Sequence, residues 1–167
     1  KRKPLNEARL EDMISQGADQ ALRAGQIIRR LRDFVAKGEA DRRIENLPKL
    51  LEEAGALAMV GAKERSVRLR YELDPKVDLV LADKVQIQQV ALNLIRNGIE
   101  AMDDSARKEV VVGARPVADD MVEVWVSDTG HGISDEAAEQ LFQPFMTTKS
   151  NGMGIGLSIS RTIVEAH

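Results

Sequence analysis

The sequence predicts an α+β fold: a two-layer α/β sandwich, with helices on one face of a mixed sheet, preceded by a long amphipathic helix. Three observations predict it. Residues 5–37 place apolar side chains in alternating steps of four and three, with no internal proline. Later segments alternate apolar and polar residues as half-buried strands do. Those strands are interleaved with helical stretches in hairpin-like pairs, without the strict strand–helix alternation of a doubly wound sheet.

Leu10, Ile14, Gly17, Ala21, Ala24, Ile28, Leu31 and Val35 form a heptad seam. Met13, Leu22, Ile27 and Phe34 widen the stripe, which suits a helical bundle. A helix of this length needs a partner, so residues 1–38 are expected to dimerise; the alternative is a helix lying on its own domain. Gly38 is a plausible stop. The charged residues 39–46 read as a connector, and 47–167 as a second domain. Leu50, Leu51, Ala54, Leu57 and Ala58 share one side of a helix over 47–62. Val67, Leu69, Tyr71 and Leu73 alternate as a strand that Asp74-Pro75 ends. Val77, Leu79 and Leu81 make a second strand. Residues 83–103 return to helical period. Strands are expected over 110–114 and 122–126, with Pro116, Asp119 and Asp120 in a hairpin turn. Residues 135–141 and 155–166 read as helices, and 143–153 as a loop.

The composition narrows the function classes. The chain has 167 residues, 43% of them hydrophobic and 3% aromatic, with net charge −3. The hydrophobic share is enough for a core of Leu, Ile, Val, Ala and Met. No basic footprint for nucleic acid exists. With no cysteine, disulfides and cysteine chemistry are excluded. No apolar run is long enough to span a membrane, so no direct membrane contact by this segment is expected. The segment starts without Met and reads as a cytoplasmic part of a longer protein.

Three motifs carry chemistry. Asn93 and Asn97 stand four apart on the polar side of helix 83–103, so their amides share one surface. Paired amide oxygens suit Mg²⁺, a hard cation with oxygen ligands, and Arg96 beside them can neutralise phosphate. An ordinary solvated face is the alternative. Asp128 ends a strand just before Gly130 and Gly132, where a carboxylate can accept the exocyclic amine of adenine; a plain turn is the alternative. Gly152, Gly154 and Gly156 feed a helix N-terminus, whose N–H groups suit phosphate; the alternative is a hinge. Between them lie Phe142 and Phe145, as anchors or as plain core, and Lys149, within reach of a phosphate. His131 and His167 suggest no metal site or triad.

In order and spacing, these motifs together resemble the catalytic ATP-binding domain of two-component sensor histidine kinases, within the superfamily of the gyrase, Hsp90 and MutL ATPases. Asn93 and Asn97 match its asparagine box. Asp128, Gly130 and Gly132 match the first glycine box, Phe142 and Phe145 the phenylalanine box, and Gly152, Gly154 and Gly156 the second glycine box. The resemblance covers about 44–167. Residues 5–37 resemble the second helix of the dimerisation and histidine-phosphotransfer hairpin, and 20–35 are similar to FixL-type PAS-linked kinases. The resemblance implies ATP and Mg²⁺ as cofactors. It makes Asn97 the Mg²⁺ ligand with Asn93 assisting, Asp128 the adenine reader, and Arg96 and Lys149 phosphate contacts. It adds Ile133, Phe145, Thr148, Ile155 and Leu157 to the glycines as nucleotide contacts. It also implies a homodimer through the N-terminal helix and a response-regulator receiver domain as partner. The phosphoacceptor histidine of the family is not among these residues. Gly98 stands where the family usually has Ala, at a helix cost of about 1 kcal/mol. Two other readings remain: an ATPase or serine kinase of the same superfamily, and a non-catalytic phosphotransfer or scaffold protein.

Overall fold

The computed structural model describes residues 13–18, 25, 41–60, 62, 66–118, 120–147, 149 and 152–167. The chain divides into two compact units, Lys1–Glu39 and Ala40–His167. In the first unit, residues 13–18 and 25 are helical and exposed. The rest of the helix expected over 5–37 lies outside the described residues.

The second unit opens with a strand where the sequence suggested a connector. β1 (Arg43–Asn46) pairs antiparallel with β3 (Leu79–Ala82), bringing Ile44 opposite Leu81. β2 (Arg68–Leu73) therefore does not form a hairpin with β3. It pairs in parallel with β4 (Glu109–Pro116), which pairs antiparallel with β5 (Val122–Asp128). The three-stranded sheet is thus mixed, in the order β2-β4-β5.

Side-chain caps start three helices of this unit. α1 (Leu47–Met59) is capped by Asn46, whose side chain accepts the Lys49 N–H at 2.9 Å. Pro48 stands in the first turn, where its missing N–H costs nothing. α2 (Lys84–Ala101) is capped by the buried Asp83, which accepts from Val85 and Gln86 N–H at 3.0 Å each. A short α3 (Asp135–Glu139) follows, capped by Ser134. The chain then reaches α4 (Gly156–Glu165).

Leu50, Leu51 and Ala54 of α1, Ile95 and Ile99 of α2, and Val110, Val112 and Ala114 of β4 share one core. Each large apolar side chain buried there contributes roughly 1.5–3 kcal/mol. Both helices therefore cover one face of the sheet. The other face is polar, with Trp125 over Gly113 and the Arg115 guanidinium 5.6 Å above the indole. This seats α2 with one side in the core and its asparagine side toward α4 and the loops.

The end of α4 is tied to the start of α2. His167 Nε2 accepts the Asp83 backbone N–H at 3.1 Å, and its Nδ1–H donates to the Ile163 carbonyl at 2.8 Å. Arg42 donates to the Ala166 carbonyl. His167 therefore has a structural role that the sequence did not reveal.

Burial, with a smaller contribution from Glu52, pushes the Tyr71 phenol above its ordinary value. The folded chain thus holds this proton more tightly than the unfolded chain. Its contribution is complete below the unfolded value of about 10 and is lost as pH rises through the folded one. Denaturant midpoints at pH 8 and pH 11 should show an alkaline loss that is smaller in Tyr71→Phe.

Candidate functional site

The site is built on the outward side of α2. Asn93, Arg96, Asn97 and Glu100 recur at helical spacing there, while Ala91, Ile95 and Ile99 face the core. Asp128 sits at the last position of β5, opposite Val110 across the ladder, which turns its side chain to the helical face of the sheet. There it meets α2 at Gly98. A Cβ on Gly98 would lie 3.1 Å from the Asp128 Cβ and 3.4 Å from Oδ2. Gly98 is therefore more than a weak helix residue: its missing side chain lets the carboxylate lie against the helix.

The first glycine turn folds back on the same helix. Asp128 Oδ1 accepts the Gly130 N–H at 2.8 Å, and the His131 N–H reaches the Ala101 carbonyl at 3.4 Å. Gly132 takes φ +75, and Ile133 beyond it is 60% exposed.

Neither phenylalanine is core, which removes the plain-core alternative. Phe142 is 44% exposed and stacks under Arg161 at 5.3 Å; Phe145 is 63% exposed. Phe145 adopts φ 69, a left-handed conformation costly for a bulky residue. Its N–H donates to the Gly154 carbonyl at 2.8 Å, and Gly154 itself has φ 64. The phenylalanine segment and the second glycine turn are thus clamped together.

Gly156 opens α4. A Cβ there would overlap Asn93 Oδ1, and the rest of the Asn93 amide lies 3.1 Å away. Asn93 Nδ2 in turn donates to the buried Ser160 Oγ at 2.9 Å. Asn93 thus fastens α4 to α2. No side chain caps α4, so the N–H groups of its first turn have no side-chain acceptor. Ile155 is buried just before it, and Leu157 is half-buried within it.

Lys149 crosses from the loop to α2. Its Nζ donates to Asn97 Oδ1 at 3.1 Å and pairs with Glu100 Oε2 at 2.5 Å. The expected residues thus fall into linked groups: Asn97 with Lys149, Asn93 with Gly156, Asp128 with Gly130, and Phe145 with Gly154. Arg96 is exposed and has no hydrogen bond or ion pair to these described residues. Gly152 lies close to Thr147 and Lys149. Thr148 lies outside the described residues.

Residues 82–167 match the family described as histidine kinase-, DNA gyrase B-, and HSP90-like ATPase. The chain belongs to this ATPase family. Within it, the sensor protein FixL of Bradyrhizobium diazoefficiens is 62% identical over 162 residues, covering 97% of this chain and 32% of that protein. The chain therefore spans about a third of that relative's length. The catalytic domain of histidine kinase ThkA superposes with TM-score 0.66 and 33% identity, over 75% of this chain and 80% of that one. ThkA in complex with response regulator protein TrrA gives TM-score 0.70 and 26% identity, over 99% of this chain and 46% of that one. No helix among the described residues of this ATPase domain is long and apolar enough to cross a membrane.

Sequence reasoning missed three parts of the site. Glu100 was legible in principle, because it lies three residues beyond Asn97 on the same helical face. Ser160 gave no local signal, since its partner Asn93 is 67 positions away. The seat of Asp128 on Gly98 likewise depends on tertiary packing.

Proposed function

We propose that this domain binds ATP with Mg²⁺ and, in its complete protein, transfers the γ-phosphate to a histidine and onward to a response-regulator aspartate. The observation that carries this reading is that α2 meets Lys149 at Asn97, Asp128 at Gly98 and the first residue of α4 at Asn93. Asp128 keeps Oδ2 for the adenine amine while Oδ1 holds the turn. Gly152, Gly154, Gly156 and the first turn of α4 offer N–H groups to phosphate. Lys149 and Arg96 neutralise phosphate charge. In this reading Ile133, Phe145, Thr148, Ile155 and Leu157 are further nucleotide contacts.

The residues fit a magnesium ion. Asn97 Oδ1 already faces a cation, the Lys149 ammonium, and neutral amide oxygens combined with phosphate oxygens form a donor set of the kind Mg²⁺ takes. Bound there, the ion supplies charge neutralisation at the phosphates. Asn93 supports Asn97 by holding α4 in place. Catalysis is then mainly positioning and electrostatics.

In the same reading, residues 1–38 join two protomers, a receiver domain is the phosphate's destination, and the domain works in the cytoplasm. The ThkA complex with TrrA supports the receiver partner by analogy. The test supplies the upstream histidine-bearing segment with labelled ATP. Acid-labile phosphate should appear on histidine and fall at least about 100-fold in Asn97→Ala, as removal of a charge-positioning group does. Steady ATP hydrolysis with no labelled histidine would instead favour an ATPase.

A further inference from the structure

Glu100 belongs to no motif named above, yet it makes the shortest contact to Lys149. Asn97 and Glu100 lie three residues apart on α2, so both reach the same surface. The Lys149 ammonium bridges them, at 3.1 Å from the Asn97 oxygen and 2.5 Å from the Glu100 carboxylate. Lysine is a compact point charge, and two of its three donors are directed at these two oxygens.

An amide oxygen alone holds an ammonium weakly, so the carboxylate supplies the attraction. The two side chains of the pair are 40% and 47% exposed. An ion pair this open contributes little to folding. It is therefore easily rearranged, and its value lies in where it puts the charge.

We infer that Glu100 is a positioning residue, which parks the Lys149 ammonium on the oxygen assigned to Mg²⁺ until nucleotide brings the metal. The exchange rests on the proposed role of Asn97; the Lys149–Glu100 pair does not. A Mg²⁺ ion held by the Asn97 oxygen would repel the Lys149 ammonium, while Glu100 would keep that ammonium tethered at the polar side of α2.

The test labels lysines of the nucleotide-free chain with an amine-acylating reagent and quantifies Lys149 by mass spectrometry. Lys149 should react about 2–5-fold faster in Glu100→Gln than in wild type, the range set by a half-exposed ion pair. Glu100→Asp should lie between them. Circular dichroism checks that each variant is folded. A second readout follows the Mg²⁺ concentration that half-maximally strengthens ADP binding. It should fall by a similar factor in Glu100→Gln, because the competing ammonium is released. Equal Lys149 reactivity in wild type and Glu100→Gln would overturn the pair. An unchanged Mg²⁺ requirement would overturn the exchange. The labelling needs no nucleotide, so a failure of the nucleotide reading, seen as no ADP binding by folded wild type, is told apart from a failure of the pair.

Discussion

Asp128→Asn should weaken ATP binding by about 10–100-fold while leaving the unfolding midpoint nearly unchanged. The expected loss is that of a hydrogen bond to a charged group, roughly 1.5–3 kcal/mol. The geometry explains why even this near-isosteric change is damaging. Oδ1 is committed to the Gly130 N–H at 2.8 Å. An asparagine keeps that bond with its only acceptor oxygen, and then presents an NH₂ group where the adenine amine needs an acceptor. The turn stays and the recognition goes. Asp128→Ala should lose binding too, but it also frees the turn and should lower the unfolding midpoint. Calorimetry with ADP, paired with thermal unfolding, separates the two. Equal binding by Asp128→Asn and wild type would remove Asp128 from adenine recognition.

Gly156→Ala should have the second large effect, on stability and binding together. The added methyl has no room, because it would overlap Asn93 Oδ1. Asn93 cannot simply rotate away, since its Nδ2 is bonded to the buried Ser160 Oγ at 2.9 Å. Relief requires either breaking that bond or moving α4 off α2. Overpacking of this kind costs about 1–3 kcal/mol. Moving α4 also shifts the N-terminal N–H groups assigned to phosphate, so ATP affinity should drop by about tenfold or more. A double-mutant cycle with Asn93→Ser identifies the cause. The pair should recover stability relative to Gly156→Ala alone. A double mutant in which the two losses simply add would show that the clash is not the mechanism.

Much of this was legible in the sequence, for identifiable reasons. The two helices of the core announce themselves by long 3.6-residue periods, and their caps, Asn46 and Asp83, stand where the periods begin. β2 alternates exposed and half-buried positions, so alternation marks it, whereas β4, buried or half-buried from Glu109 to Ala114, stands out as a run of valines. β1 does not bury a face: its ribbon is mostly exposed, with Ile44 at 73%. A strand of Arg-Ile-Glu-Asn with no buried face carries no period-2 signal and reads as a charged connector. Pairing was harder still. β2 finds β4 in parallel register, Leu69 against Val110, and nothing near Asp74-Pro75 indicates that the chain will not turn back on itself.

The site divides the same way. Asn93, Asn97, Asp128 and the glycines are local patterns whose spacing carries chemistry; in the fold Asp128 meets α2 at Gly98, Asn93 meets Gly156, and Asn97 meets Lys149. The parts that position them are long-range. Lys149 meets Glu100 across 49 residues, and Ser160 meets Asn93 across 67. Gly98 shows the difference most plainly. In sequence it is a weak helix residue; in the fold, it is the space that Asp128 occupies.

Calorimetric titration of ATP into the chain, with and without Mg²⁺, for wild type and Asn97→Ala tests the nucleotide site most directly. Wild type should bind ATP, Mg²⁺ should strengthen the binding, and Asn97→Ala should bind with no such dependence on Mg²⁺. A folded wild-type chain that binds no ATP at any Mg²⁺ concentration would contradict the nucleotide site.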